Sequence, residues 1–178
     1  MFVWCGVNVD SQLAEVKCVA REIEQNLHFQ HSNFTLPFHV SLKMSFEVSE
    51  QTAEAVKNDL AEFFSQICPF EVEVDCIEYS QNICWIRMKE CGELNAIHDK
   101  LNEFLLCKYG VPLHEYDCDY KFHTTLFMDD DVEKVREAYE RVKNCPLPQK
   151  LCANVFDIGE SPQGKLGTYK AVKEICVC

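Results

Sequence analysis

Several absences bound this sequence before any motif is read. No apolar run approaches the roughly 20 residues that a membrane-crossing helix needs, so no helical membrane span is expected. The opening Met1-Phe2-Val3-Trp4-Cys5 carries no basic residue. Asn8 and Asp10 arrive too early for the apolar core of a secretory leader. Cys-x-x-Cys is missing although the chain has twelve cysteines. Their scatter matches neither a zinc ribbon nor a disulfide framework, and 178 residues can bury a core without covalent staples. Reduced cysteines acting as small hydrophobes, in a cytoplasmic protein, are the expectation. The closing Cys176-Val177-Cys178 reads as a strand end. Positive charge is also scarce: 17 Lys and Arg stand against 29 Asp and Glu, a net charge of −12. Long nucleic acids are held by cations that neutralise their phosphates, which argues against a polynucleotide partner and leaves small phosphate esters.

What is present has a regular order. Residues 2–9 read as a strand. Leu13, Val16, Ala20, Ile23 and Leu27 recur at helical spacing behind Asp10 or Ser11 as cap. Residues 36–46 alternate, with Phe38, Val40, Leu42, Met44 and Phe46 on one face and His39, Ser41, Lys43 and Ser45 on the other. A second helix carries Val56, Leu60, Phe63, Phe64 and Ile67. A half-exposed strand runs from Phe70 to Cys76, and a turn at Ser80-Gln81-Asn82 leads into a strand at Ile83–Met88. The order then starts again. A helix from Leu94 to Leu105 ends at Gly110 and Pro112, an alternating strand spans 119–128, and a helix carries Val132, Val135, Tyr139 and Val142. A strand follows around Val155, then a glycine-studded turn at 159–167 and a last strand at 168–177. Helix, strand, helix, strand, strand thus occurs twice with no linker between. The expectation is one α+β domain over 1–178, built as two pseudo-symmetric lobes.

The two equivalent strands contain Phe38-His39-Val40-Ser41-Leu42 and Phe122-His123-Thr124-Thr125-Leu126, with the histidines 84 residues apart. In a strand, positions i and i+2 project from one face about 6.5–7 Å apart. Each motif therefore sets an imidazole beside a hydroxyl, while Phe and Leu anchor the opposite face. Imidazole titrates near neutrality, so one ring can accept a proton while the other delivers one. Hydroxyls can donate to non-bridging phosphate oxygens without adding charge. A phosphodiester suits this set, because its cleavage needs a base on one side and an acid on the other.

These residues resemble the paired His-x-(Thr/Ser)-hydrophobic motifs of the 2H phosphoesterases, a family that includes 2′-5′ RNA ligase-like proteins and cyclic phosphodiesterases. The resemblance in layout covers nearly the whole chain. It implies an internally duplicated, bilobal α+β fold with antiparallel sheets lining a central cleft and helices outside. It also implies cleavage of 2′,3′-cyclic phosphates or 2′-5′ linked oligonucleotides without metal or other cofactor, by His39, Ser41, His123 and Thr125. Two departures stand out: the first hydroxyl is Ser41 where threonine is commoner, and Phe127-Met128-Asp129-Asp130 stands where many relatives carry a basic residue. The second reinforces the expectation of a small nucleotide or oligonucleotide substrate, handled by a monomer.

Lys43 and Lys121 share the motif faces and could steady phosphate charge; solvated strand-edge lysines are the other reading. Phe127 shares the face of His123 and could stack on a base, or pack in the core. Trp4 and Tyr169 are weaker stacking candidates. His28 and His31 read as solvent-facing, His98 as packed or capping, and His114 as a loop residue. Neither motif brings carboxylate or thiolate ligands at metal spacing. The alternatives to an enzyme are a module that senses a nucleotide without turning it over, and a partner-binding protein with a relic cleft.

Overall fold

The computed structural model describes residues 1–30, 32 and 34–178. Its strands are β1 (Phe2–Asn8), β2 (His39–Glu47), β3 (Phe70–Ser80), β4 (Ile83–Met88), β5 (His123–Met128), β6 (Lys150–Ala153), β7 (Val155–Ser161) and β8 (Lys170–Cys176). Its helices are α1 (Ala14–Leu27), α2 (Glu50–Ser65), α3 (Gly92–Tyr109) and α4 (Val132–Val142). Local chemistry sets their ends. The Ser49 hydroxyl accepts the Thr52 N–H at 3.2 Å to cap α2, and Asp131 does the same for Lys134 at α4. Gly110 closes α3 at φ +68, a left-handed angle that glycine adopts without steric cost.

The strands form two four-stranded antiparallel sheets, in the orders β2-β1-β7-β8 and β5-β4-β3-β6. The expected duplication is visible: β2 and β5 each end a sheet, and each carries one His motif. The repeats are nevertheless interleaved. The β3–β4 hairpin of the first repeat pairs with β5 of the second, and β7–β8 of the second pairs with β1. The helices follow suit. The α2 helix packs on β7 and β8, with Phe64 and Phe156 rings stacked 4.9 Å apart, while α1 and α4 pack together over the other sheet. One apolar core runs through both sheets, from Val3 and Leu42 to Ile86 and Leu126.

Three boundaries differ from the sequence expectation. Gly159 lies inside β7 rather than in a turn, because the Trp4 indole covers it: a Cβ there would sit 2.0 Å from Trp4 Nε1. The turn occupies 162–169 and is gathered by the buried Ser161 hydroxyl, which accepts the N–H groups of Gln163 and Gly164. The strand expected over 119–128 begins only at His123, after a 3₁₀ turn at 115–119 in which Asp117 accepts the His114 N–H at 2.7 Å and His114 Nδ1 accepts the Tyr116 N–H. Finally, β6 is an added short strand that pairs with β3 and runs almost directly into β7. Among the described residues no helix is long and apolar enough to cross a membrane.

Candidate active site

Each histidine enters its strand from an anchored segment. The Phe38 carbonyl accepts the Val9 N–H at 2.8 Å, and the Phe38 N–H donates to Asp10 Oδ1 at 2.7 Å. In the second copy the Phe122 carbonyl accepts the Met88 N–H at 3.0 Å. Both phenylalanines are buried, so the residue after each is turned toward the cleft.

The two imidazoles are held in the same way. His39 Nδ1 lies 2.8 Å from the Pro37 carbonyl, and His123 Nδ1 lies 2.6 Å from the Lys121 carbonyl. A carbonyl only accepts, so Nδ1 carries the proton on each neutral ring and Nε2 is left as the acceptor. Burial holds the pKa of both rings below the ordinary 6.5; the carbonyl bonds oppose this, and the charge of His123 lowers His39 further. The charge of His123 acts on His39, so the two rings lie within electrostatic reach of each other.

His39 and Thr125 line one cavity of about 160 Å³, closed by Thr35, Leu36, Pro37, Phe38, Met128, Leu166, Gly167 and Tyr169. Parts of both motifs therefore share a single pocket. Its walls carry no fixed charge. Tyr169 is tied to the rim by its hydroxyl, which donates to Ser45 Oγ at 2.9 Å. Trp4 backs His39, with ring centroids 4.4 Å apart, and is itself buried. Ser41 faces the phenol of Tyr120; burial pushes that hydroxyl far above its ordinary range, so it stays protonated. Deeper in the same sheet, Asp157 is buried opposite Gly6 and accepts from Asn8 Nδ2 at 2.9 Å. Burial and nearby Glu174 raise its carboxyl pKa to about 6.

Three sequence expectations need correction. Lys43 is not open to a phosphate: its side chain is 2% exposed and its ammonium is paired with the fully buried Asp117. Lys121 precedes β5, and its exposed ammonium reaches Asp119 at 3.0 Å; only its carbonyl serves the site. Phe127 does not share the face of His123: the β4–β5 register slips at Leu126, so Met128 joins Thr125 at the cavity while Phe127 is fully buried against Phe29, 5.4 Å between ring centroids. The other histidines read as follows. His98 is buried, with Nε2 3.4 Å from Asp117 Oδ1. His28 is exposed at the end of α1, His114 caps the 3₁₀ turn, and His31 lies outside the described residues. Sequence reading missed the Pro37 and Lys121 carbonyls and the apolar walls Leu36, Met128 and Leu166. Main-chain acceptors and a distant loop leave no mark on strand periodicity. Among the described residues no group of three or more His, Cys, Asp or Glu could hold a metal ion.

The family model for the 2′-5′ RNA ligase superfamily matches residues 9–155. The chain belongs to the 2′-5′ RNA ligase superfamily. Membership in these 2H phosphoesterases supports an enzyme of phosphoesterase type. The fold is similar to that of TT0787 from Thermus thermophilus, at 14% identity and a TM-score of 0.61, over 99% of this chain and 97% of that one. It is equally similar to E. coli LigT complexed with 3′-AMP, at 13% identity and a TM-score of 0.61, over 98% and 97% of the two chains. No curated protein sequence matches the chain.

Proposed function

We propose that this 2H phosphoesterase cleaves small phosphodiesters, 2′,3′-cyclic phosphates or short 2′-5′ linkages, by acid–base catalysis with His39 and His123 and without a metal. The observation that carries this is the matched Nδ1–carbonyl pair, which leaves Nε2 of each ring for proton transfer, together with an uncharged pocket lined by His39 of one motif and Thr125 of the other.

One neutral imidazole takes a proton from water or a ribose hydroxyl as it attacks phosphorus. The other, protonated, delivers its proton to the leaving oxygen. With one ring charged, the site balances the single negative charge of a phosphodiester. Ser41 and Thr125 donate to its non-bridging oxygens as negative charge builds on them. Leu36, Pro37, Leu166 and Tyr169 offer apolar surface for a nucleobase. The E. coli LigT structure contains 3′-AMP, a ligand of the size and kind we assign here. The fixed cations near the site are engaged elsewhere: Lys43 with Asp117, Lys121 with Asp119, and Arg87 with Asp75 and Glu78. That supports a substrate carrying one phosphodiester over a long polyanion.

The test is incubation of the purified chain with 2′,3′-cyclic mononucleotides, cyclic dinucleotides and 2′-5′ oligoadenylates, with and without EDTA, and products identified by mass spectrometry. Turnover of one class that persists in EDTA is expected. Loss of turnover in chelator would overturn the metal-free mechanism. Tight binding without product would point to a sensing module instead.

A further inference from the structure

Among the described residues no strand pairing fixes the gap between the two histidines. The strands that carry them, β2 and β5, are edges of different sheets; they lie against each other but are not paired. Among the described residues no backbone hydrogen bond joins them. A two-imidazole site needs that gap held, since a displacement of about 1 Å at a reacting centre can cost on the order of 100-fold in rate.

A side-chain tie crosses this seam. Lys43 projects from β2, four residues after His39. Its ammonium meets Asp117, in the turn six residues ahead of His123. The two side chains are 2% and 0% exposed. Lys43 also reaches the Pro112 carbonyl at 3.4 Å. Asp117 is fixed in turn by the His114 N–H at 2.7 Å and faces His98 Nε2 at 3.4 Å. The partner of Lys43 in the β1–β2 register is Cys5, a thiol that burial pushes up to about 12, so it stays neutral and supplies no counter-charge. Asp117 is therefore the anion that holds this ammonium.

Stability alone does not account for such a pair. Taking two charges out of water costs about as much as their attraction returns, and apolar side chains of similar volume are often as stable or more so. What an ion pair adds is a defined geometry. We propose that Lys43 and Asp117 are positioning residues that set the spacing of the His39 and His123 strands. The inference takes its purpose from the acid–base reading above.

The test replaces the pair with apolar residues, Lys43→Met/Asp117→Leu. Urea unfolding is expected at a midpoint no lower than that of the unaltered chain. Turnover number is expected to fall about 10- to 100-fold, with affinity for a mononucleotide product changed less than about threefold. A folded variant with unchanged turnover number would overturn the proposal. Should that variant fail to fold, Lys43→Met/Asp117→Asn keeps an acceptor for the His114 N–H and is read in the same way. A second readout needs no turnover. NMR titration in the unaltered chain should show the His39 pKa rise when His123 is changed to Ala, and that rise should be lost in the untied variant. An equal rise with and without the tie sinks the proposal, whether or not the chain proves to be a phosphodiesterase. An inactive unaltered chain in which the tie still governs this rise would instead refute the acid–base reading and leave the tie standing.

Discussion

The Trp4 indole stands between His39 and Gly159, tilted against the imidazole with ring centroids 4.4 Å apart and lying over the glycine so closely that a Cβ would fall 2.0 Å from Nε1. Glycine at 159 is thus a condition for the placement of His39. Gly159→Ala should lower stability by about 1–3 kcal/mol, the usual cost of overpacking, and reduce kcat/KM by shifting Trp4. Gly6→Ala should act similarly, because its Cβ would lie 2.6 Å from the Val40 carbonyl oxygen, a backbone atom that cannot swing aside. Thermal unfolding with parallel kinetics would check both. Unchanged values for both variants would mean that this packing has no bearing on the site.

His39→Ala and His123→Ala should each cost about 10²–10⁴-fold in kcat, the range for removing a positioned acid or base. The double variant should be little worse than either single one, because the two rings act as a unit. Ser41→Ala and Thr125→Ala should cost about 10²-fold each, through lost donors to the developing charge. Single-turnover kinetics on the substrate found by the panel would measure these losses. Multiplicative losses in the double histidine variant would speak against a concerted pair.

The pH profile follows from the shared depression of both rings below 6.5. The pair should titrate in two steps, both on the acid side of that value. Activity needs one ring protonated and the other neutral. As pH rises through the upper step the acid is lost, and as it falls through the lower step the base is lost. A bell in kcat/KM centred below about 6.5 is expected. A profile that climbs steadily through neutrality would contradict the assignment.

Asp157 gives a prediction about stability. Its carboxyl is raised from 3.8 to about 6 in the folded chain, mainly by burial. Its contribution is intact below the unfolded value and is lost as pH rises through about 6, where a buried carboxylate must ionise. Asp157→Asn, which keeps an oxygen for Asn8, should therefore raise unfolding free energy at pH about 7.5 by about 1–3 kcal/mol. At pH about 3, below the unfolded value, the two chains should be equal. Urea unfolding at both pH values decides it, and an equal gain at both would exclude ionisation as the cause.

Period-two alternation made the two histidine strands readable, and period-3.6 stripes the four helices, because both patterns follow from which face is buried. The repeat of these signals also made the α+β duplication and the family legible. Partners chosen across the fold were not. Alternation put Lys43 on the face of His39, but its burial depends on Asp117, 74 residues away. Alternation put Phe127 on the face of His123, but a slip in the β4–β5 register turns it into the core, where Phe29 beyond α1 covers it. Strand order was hidden for the same reason, since β3 carries no local mark of pairing with β6 of the other repeat.

The carbonyls of Pro37 and Lys121 dictate which nitrogen of each ring carries the proton, and main chain cannot be replaced by substitution. The side chains at those two positions are therefore open to change with little penalty to proton transfer. Under the proposed acid–base reading, proton transfer belongs to strand geometry, so a new specificity could be engineered onto the rim without rebuilding the chemistry beneath it.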